Sequence, residues 1–361
     1  MDRPTARTPG RAAGYNPANR FDRLVVTAEA DDWPGPDGEL PVLRTELRRE
    51  RPRSVITRNT SPDIGFDRSI NPYRGCEHGC IYCFARPSHA YLGLSPGLDF
   101  ETRLVAREGA AAVLARELAR RSYRPAVIAI GTNTDPYQPV EREARIMREV
   151  LEVLWDHRHP VAIVTKGTLI ERDLDILSKM AAENLVRVGV SITTLDRDLA
   201  RALEPRVPGP ARRLETIRRL AGAGVQVRAM VSPVIPALTD PEMEAILAAA
   251  QGAGAVAASW IMLRLPREVA PLFRDWLERH YPGRAGRVMA RVREMHGGRD
   301  YSVEWGKRMR GEGPYARLVG QRFRLAAARL GLDAALPPLS VDRFRVPPRP
   351  GDQLSLFGAD G

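Results

Sequence analysis

The chain has 361 residues, 43% hydrophobic and 27% charged, proportions that exclude collagenous, wholly disordered and small disulfide-stapled classes. Its length allows two domains or one (β/α) barrel with short extensions. Basic residues outnumber acidic ones 55 to 44, giving a net charge of +11, so an anionic partner is expected. The opening MDRPTARTPGRAAGYNP lacks the apolar core of a secretory signal. The longest uncharged run, Ala245 to Leu263, contains Gln251, Gly252 and Gly254, which reads as helix end, turn and strand. A cytoplasmic protein without a membrane partner is expected.

The first sixty residues, rich in Pro, Arg and Asp, read as a partly disordered extension (1–60) with one element near Leu40 to Arg49. Strand-length apolar runs then alternate with helical segments, which predicts parallel βα units. Strands are predicted at Ile70 to Tyr73, Val127 to Ile130, Val161 to Thr165, Val186 to Ser191, Gln226 to Val231 and Val256 to Leu263. Helices are predicted near Glu108 to Arg121, Glu141 to Asp156, Arg172 to Ala182, Ala211 to Ala221 and Pro241 to Ala250. Six strands suit a partial (β/α)6 barrel over 61–265, followed by an Arg-rich helical segment over 266–336. A Pro-rich linker and tail follow over 337–361.

All three cysteines lie within eight residues, Cys76, Cys80 and Cys83 in INPYRGCEHGCIYCFARP. An odd count argues against a disulfide framework. Thiolates at C-x-x-x-C-x-x-C spacing can ligate three irons of a [4Fe–4S] cluster and leave the fourth open for a substrate or cofactor. A structural zinc site completed by His78 or His89 is the alternative, although no second C-x2–4-C pair accompanies it.

This stretch resembles the radical S-adenosylmethionine superfamily signature C-x-x-x-C-x-aromatic-C, matched by Cys76, Cys80, Tyr82 and Cys83. The wording from Asn71 to Glu101 is similar to the spore photoproduct lyase-related, DNA repair photolyase-like branch. The resemblance implies a [4Fe–4S] cluster, S-adenosylmethionine chelated to its open iron, and reductive cleavage to a 5′-deoxyadenosyl radical. It also implies an electron donor such as flavodoxin or ferredoxin.

In such a barrel the residues past each strand's C-terminal end line the active site. Those expected to hold the cofactor are Tyr82, the loop Thr132, Asn133, Thr134 and Asp135 after the second strand, Lys166 after the third and Ser191 at the end of the fourth. The usual Gly-Gly-Glu of the cofactor loop is absent. Spore photoproduct lyase returns a hydrogen atom from a cysteine, and this chain has no fourth cysteine. Direct thymine-dimer reversal is therefore doubtful, and Tyr91 or Tyr137 would have to replace the thiol; Tyr137 is taken as the catalytic candidate. Arg86 and His89 follow the cluster and are expected to form its surroundings.

From Arg284 to Arg329 the net charge is +8. Arg287, Arg291, Arg293, Lys307, Arg308 and Arg310 are expected to contact nucleic-acid phosphate. The bland alternative is compositional, since only Lys166, Lys179 and Lys307 are lysines. Beyond the linker, Gln353, Leu354, Ser355, Leu356 and Phe357 resemble the bacterial sliding-clamp-binding motif. Together these features predict a bacterial radical enzyme acting on DNA, by lesion repair or base modification. RNA or a protein side chain as substrate, and a noncatalytic iron–sulfur DNA-binding module, are the competing readings.

Overall fold

A computed structural model of the chain describes residues 10–22 and 43–348. The strands are β1 (Glu46–Glu50), β2 (Thr57–Arg58), β3 (Arg68–Ile70), β4 (Tyr73–Arg74), β5 (Arg103–Arg107), β6 (Ile128–Ile130), β7 (Val161–Thr165), β8 (Val186–Ser191), β9 (Gln226–Val234) and β10 (Ala257–Met262). Six of them, in the order β3-β6-β7-β8-β9-β10, form one parallel sheet, and β2 adds antiparallel to β3 at its edge. The result is an α/β fold with the six parallel strands expected from the apolar runs. The predicted strand from Ile70 to Tyr73 divides instead. Its first residue ends β3, and its last begins β4 in a separate three-stranded sheet.

In that small sheet β1 runs parallel to β5, and β4 runs antiparallel to it. The element expected near Leu40 to Arg49 is thus strand β1, joined to the body by backbone ladders. The helices are α1 (Leu98–Thr102), α2 (Ala110–Leu118), α3 (Glu141–Ala144), α4 (Ile146–Asp156), α5 (Leu174–Ala182), α6 (Arg197–Leu203), α7 (Pro210–Gly222), α8 (Met243–Gly252), α9 (Val269–His280), α10 (Pro282–Met295) and α11 (Gly313–Arg329). The single helix expected over Glu141 to Asp156 is broken between α3 and α4 by Arg145, whose φ of 52° cannot continue a right-handed helix.

Alternation along the central strands sorts the core from a cavity. On β8, Val186, Val188 and Val190 belong to the core packed against the helices, whereas Arg187 and Ser191 line the cavity. Much of the inner lining is small: Ala129, Gly131, Ala162, Ser191 and Ser259 leave a cavity of about 1560 Å³. The two free edges of the sheet are bridged by loops. Met262 N of β10 donates to Met309 O (2.9 Å) and Ala258 N to Leu332 O (2.8 Å). From the other edge, Asp63 in the β2–β3 turn accepts from Gly306 N and from Arg308 Nε, both at 2.6 Å.

The Pro-rich run is extended, as expected, but its described part is docked rather than a free linker. Residues 337–348 run beneath the barrel, where Ser340 N donates to Asn184 O (3.0 Å) and Arg345 N to His157 O (3.0 Å). Phe344 packs against Tyr123, His157 and His159. Residues 353–357, with the clamp-like motif, lie outside the described residues. Among the described residues no helix is long and apolar enough to cross a membrane.

Candidate active site

The three cysteines occupy a tight loop that β4 launches. Cys76 N donates to Phe100 O (2.9 Å), Gly79 N to Cys76 O (3.1 Å) and Cys83 N to Cys80 O (3.1 Å), so each thiol emerges from its own turn. Arg86, fully buried, holds the loop from behind: its Nε donates to Cys80 O (3.0 Å), Nη2 to Gly79 O (2.9 Å), and Nη1 to Pro96 O (3.1 Å) and Gly97 O (2.9 Å). Its charge is balanced by the equally buried Glu101, 2.5 Å away. Glu101 also accepts from Ala12 N and Ala13 N, so the N-terminal segment wraps the loop. A side chain at Gly79, whose φ is +66°, would meet Glu101 Oε2 at 2.6 Å.

All three thiols line the large cavity. Burial pushes the Cys80 thiol well up and that of Cys83 to about 11, with neighbouring acid and thiol groups adding to the effect. Among the described residues no three His, Cys, Asp or Glu side chains converge on a single metal ion. His78 turns its Nδ1 to Asp135 (3.3 Å), and His89 stacks edge-on against Phe100, so neither completes a four-ligand zinc set. Burial disfavours charge on His78, but Asp135 outweighs it and raises its pKa to about 10. Three thiols on separate turns facing an open chamber fit the [4Fe–4S] donor set.

The strand ends complete the rim. Gly131, just past β6, has φ +86°, and a Cβ there would sit 1.9 Å from Val164 O, so only glycine lets this loop cross β7. Thr132, Asn133, Thr134 and Asp135 all line the cavity, but their roles divide. Thr134 Oγ1 donates to Tyr73 O (2.9 Å). Asp135 accepts from Thr165 Oγ1 and from Lys166 N, both at 2.6 Å, and from Tyr137 N at 2.9 Å. These two residues build the loop, and Thr132 and Asn133 are left facing the chamber. Lys166 Nζ reaches Ser232 O (3.2 Å) and lies 3.6 Å from Glu204.

Glu204, which no sequence motif singled out, sits at the centre of this wall. It accepts from Tyr82 and Thr193 and pairs with Arg213 at 2.7 Å. Burial alone would raise its pKa, yet Arg213 and Lys166 draw it down to about 2, so it is a fixed anion. It follows α6, an element the periodicity missed, far from the cysteine motif.

Tyr137 departs from its expected catalytic position. It is buried away from the chamber lining, and its phenol donates to Asp173 Oδ2 (3.1 Å) in the core. Of the basic residues, Arg291 pairs with Glu294 (2.6 Å), Arg293 with Asp300 (2.8 Å), Lys307 with Glu304 (2.7 Å) and Arg308 with Asp63. Arg310 alone of the six lines the cavity, stacked over Trp260 at 4.3 Å. Across the mouth, Arg264 stacks over Phe84 at 4.1 Å, next to the last cysteine.

A family model described as the Radical SAM superfamily matches residues 70–250. An uncharacterized protein of Mycobacterium tuberculosis is 39% identical over 235 residues, 64% of this chain and 68% of that protein. An uncharacterized protein of Methanocaldococcus jannaschii is 28% identical over 173 residues, 48% of this chain and 62% of that protein. Among solved structures, spore photoproduct lyase complexed with dinucleoside spore photoproduct matches with a TM-score of 0.58 at 17% identity, covering 84% of this chain and 85% of that one. A variant with bound AdoMet and the same dinucleoside matches with a TM-score of 0.57 at 17% identity, over 83% and 85%.

Proposed function

Because the chain belongs to the radical S-adenosylmethionine superfamily, whose enzymes use a [4Fe–4S] cluster and S-adenosylmethionine, we propose that it acts on DNA, repairing a lesion or modifying a base. Cys76, Cys80 and Cys83 would hold the cluster, which when bound would supply one-electron reductive cleavage of the cofactor, and Arg86 fixes their loop. Thr132, Asn133, Lys166 and Ser191 form the cofactor's wall, with Tyr82 oriented by Glu204 beneath it.

The observation that carries the reading is the opening of the cysteine loop into a chamber far larger than the cofactor needs, with Arg–aromatic stacks at its mouth. The dinucleoside bound by the solved relative supports DNA as the substrate class. The chain has no thiol beyond the three cysteines, so hydrogen return differs from the cysteine-based step. The tail residues Gln353 to Phe357 are proposed to dock on the sliding clamp, which predicts that their deletion abolishes clamp retention and leaves iron content unchanged.

The test is anaerobic reconstitution, reduction with dithionite and mass spectrometry for 5′-deoxyadenosine, with and without damaged duplex DNA. DNA-stimulated cleavage is expected. Cleavage stimulated by RNA or a protein instead would replace the substrate. No cleavage with a full cluster bound would favour the noncatalytic module.

A further inference from the structure

Four guanidinium groups line the chamber, and among the described residues none has a carboxylate partner within ion-pair distance: Arg187, Arg228, Arg264 and Arg310. The three carboxylates in the same wall are already engaged. Asp63 is held by Arg308, Asp67 by Arg68, and Asp135 by Thr165 and the Lys166 amide. S-adenosylmethionine carries one net positive charge, which the three thiolates around a 2+ cluster core offset, so cluster and cofactor together leave the four guanidiniums without a counter-ion. An anionic ligand would supply it.

Arg264 and Arg310 stand at the mouth, but Arg187 and Arg228 stand at the floor. They lie on adjacent strands, β8 and β9, where Gly189 is the register partner of Arg228 and Gln226 that of Arg187. Each is satisfied only by neutral groups. Arg187 Nη2 donates to Pro337 O (2.5 Å) and Gln226 Oε1 (3.2 Å), and its Nε is buried without a partner. Arg228 Nη1 donates to Ala258 O (2.9 Å). Burial lowers the pKa of both, and Arg228 repels Arg187. Four residues, about 13 Å, separate Arg187 from Ser191 at the top of β8, and Arg228 lies two residues, about 7 Å, below Met230, the register partner of Ser191. Pro338, Leu339 and Val341 of the docked C-terminal run line the cavity beside it.

We propose that Arg187 and Arg228 form an anion site on the barrel floor that takes a terminal phosphate. An internal phosphodiester of a duplex is flanked on both sides and does not reach this depth, whereas a phosphomonoester at a strand end or on a free nucleotide does. The inference rests on the reading of the chamber as the substrate's compartment and narrows it to molecules that enter end first. Two forked donors suit a phosphate's oxygens.

The experiment is calorimetry on the cluster-reconstituted full chain, without S-adenosylmethionine or reductant. The probes are inorganic phosphate and a thymidine dinucleotide with and without a 5′-phosphate. The phosphorylated dinucleotide is expected to bind at least about ten-fold tighter than the unphosphorylated one. The Arg187→Gln/Arg228→Gln variant should lose that preference, and Arg121→Gln on the outer surface should keep it. Binding of inorganic phosphate without a dinucleotide preference would support the site and make the free anion its ligand. Equal binding of both dinucleotides with no phosphate binding would overturn it.

A second readout does not depend on the double variant folding normally. Arg228→Gln should hold or raise the phosphate-free melting temperature, because a repulsion is removed, and should abolish the rise that phosphate gives the parent. A lower melting temperature with the phosphate response intact would overturn the site. Cofactor cleavage by the unmutated protein, measured in parallel, tests the radical chemistry separately, so either can fail alone.

Discussion

The cysteine loop and the Arg-rich C-terminal segment both announce themselves in the sequence, one by spacing and the other by charge, and the structure treats them differently. The loop's three thiols converge on one chamber, and their spacing corresponds to three successive turns. In the C-terminal segment, Arg291, Arg293, Lys307 and Arg308 each find a carboxylate of the same chain. Spacing reports geometry, whereas net charge does not say where the charges are spent. Among the described residues, the arginines that line the chamber without a carboxylate partner are Arg187, Arg228, Arg264 and Arg310, and only the last had been singled out by its run of basic neighbours.

The largest effect that would break this contrast is at the loop. Cys80→Ala should reduce bound iron to background after reconstitution, and a normal iron content by colorimetric assay would remove the cluster assignment. Next, Arg86→Ala leaves Glu101 buried and uncompensated and frees the Gly79 and Cys80 carbonyls. It should destabilise the metal-free protein by about 3–5 kcal/mol in denaturant titration. A loss below about 1 kcal/mol would mean that the loop is held by its turns alone.

A third effect separates the docked C-terminal run from both regions. Burial holds the His159 pKa down at about 4, against 6.5 when exposed, so the folded state binds this proton less readily than the unfolded state. The neutral ring is favoured above pH 6.5, and stability should fall as pH drops from 6.5 toward 4, by on the order of 3 kcal/mol. His159→Gln should flatten that slope in melting curves taken across the window, and an unaltered slope would assign the acid sensitivity elsewhere. The smallest effect sharpens the comparison from the other side. Arg293→Ala, an exposed ion-pair loss, should change stability by less than about 0.5 kcal/mol and DNA affinity by less than about three-fold. Arg264→Ala at the mouth should weaken DNA binding by about ten-fold.

Five of the six parallel strands, β6 to β10, were legible as largely apolar runs, and β7 and β8 begin and end where the sequence pattern does, whereas β3 (RSI) meets its expected run only at Ile70. The short β2 and β4 were not, since two residues carry no period. Strand β5, with the pattern RLVAR, was passed over next to the loop it braces. At the site, local motifs located the cysteines, the Gly131 loop and Lys166. Glu204 and Arg213 escaped because a buried ion pair between residues on separate elements leaves no local trace, and Tyr137 misled because a buried phenol in the core reads the same in sequence as one in a cavity.

The bridge between Asp63 and the Gly306–Arg308 turn has a mechanical consequence. Six strands do not complete a ring here, and the circumference is finished by a side-chain buckle rather than by a ladder. Unfastening it breaks no strand pairing and leaves every strand-borne residue of the rim in position. The girth of the chamber is thereby set by contacts separate from the ladders that hold the strand-borne wall.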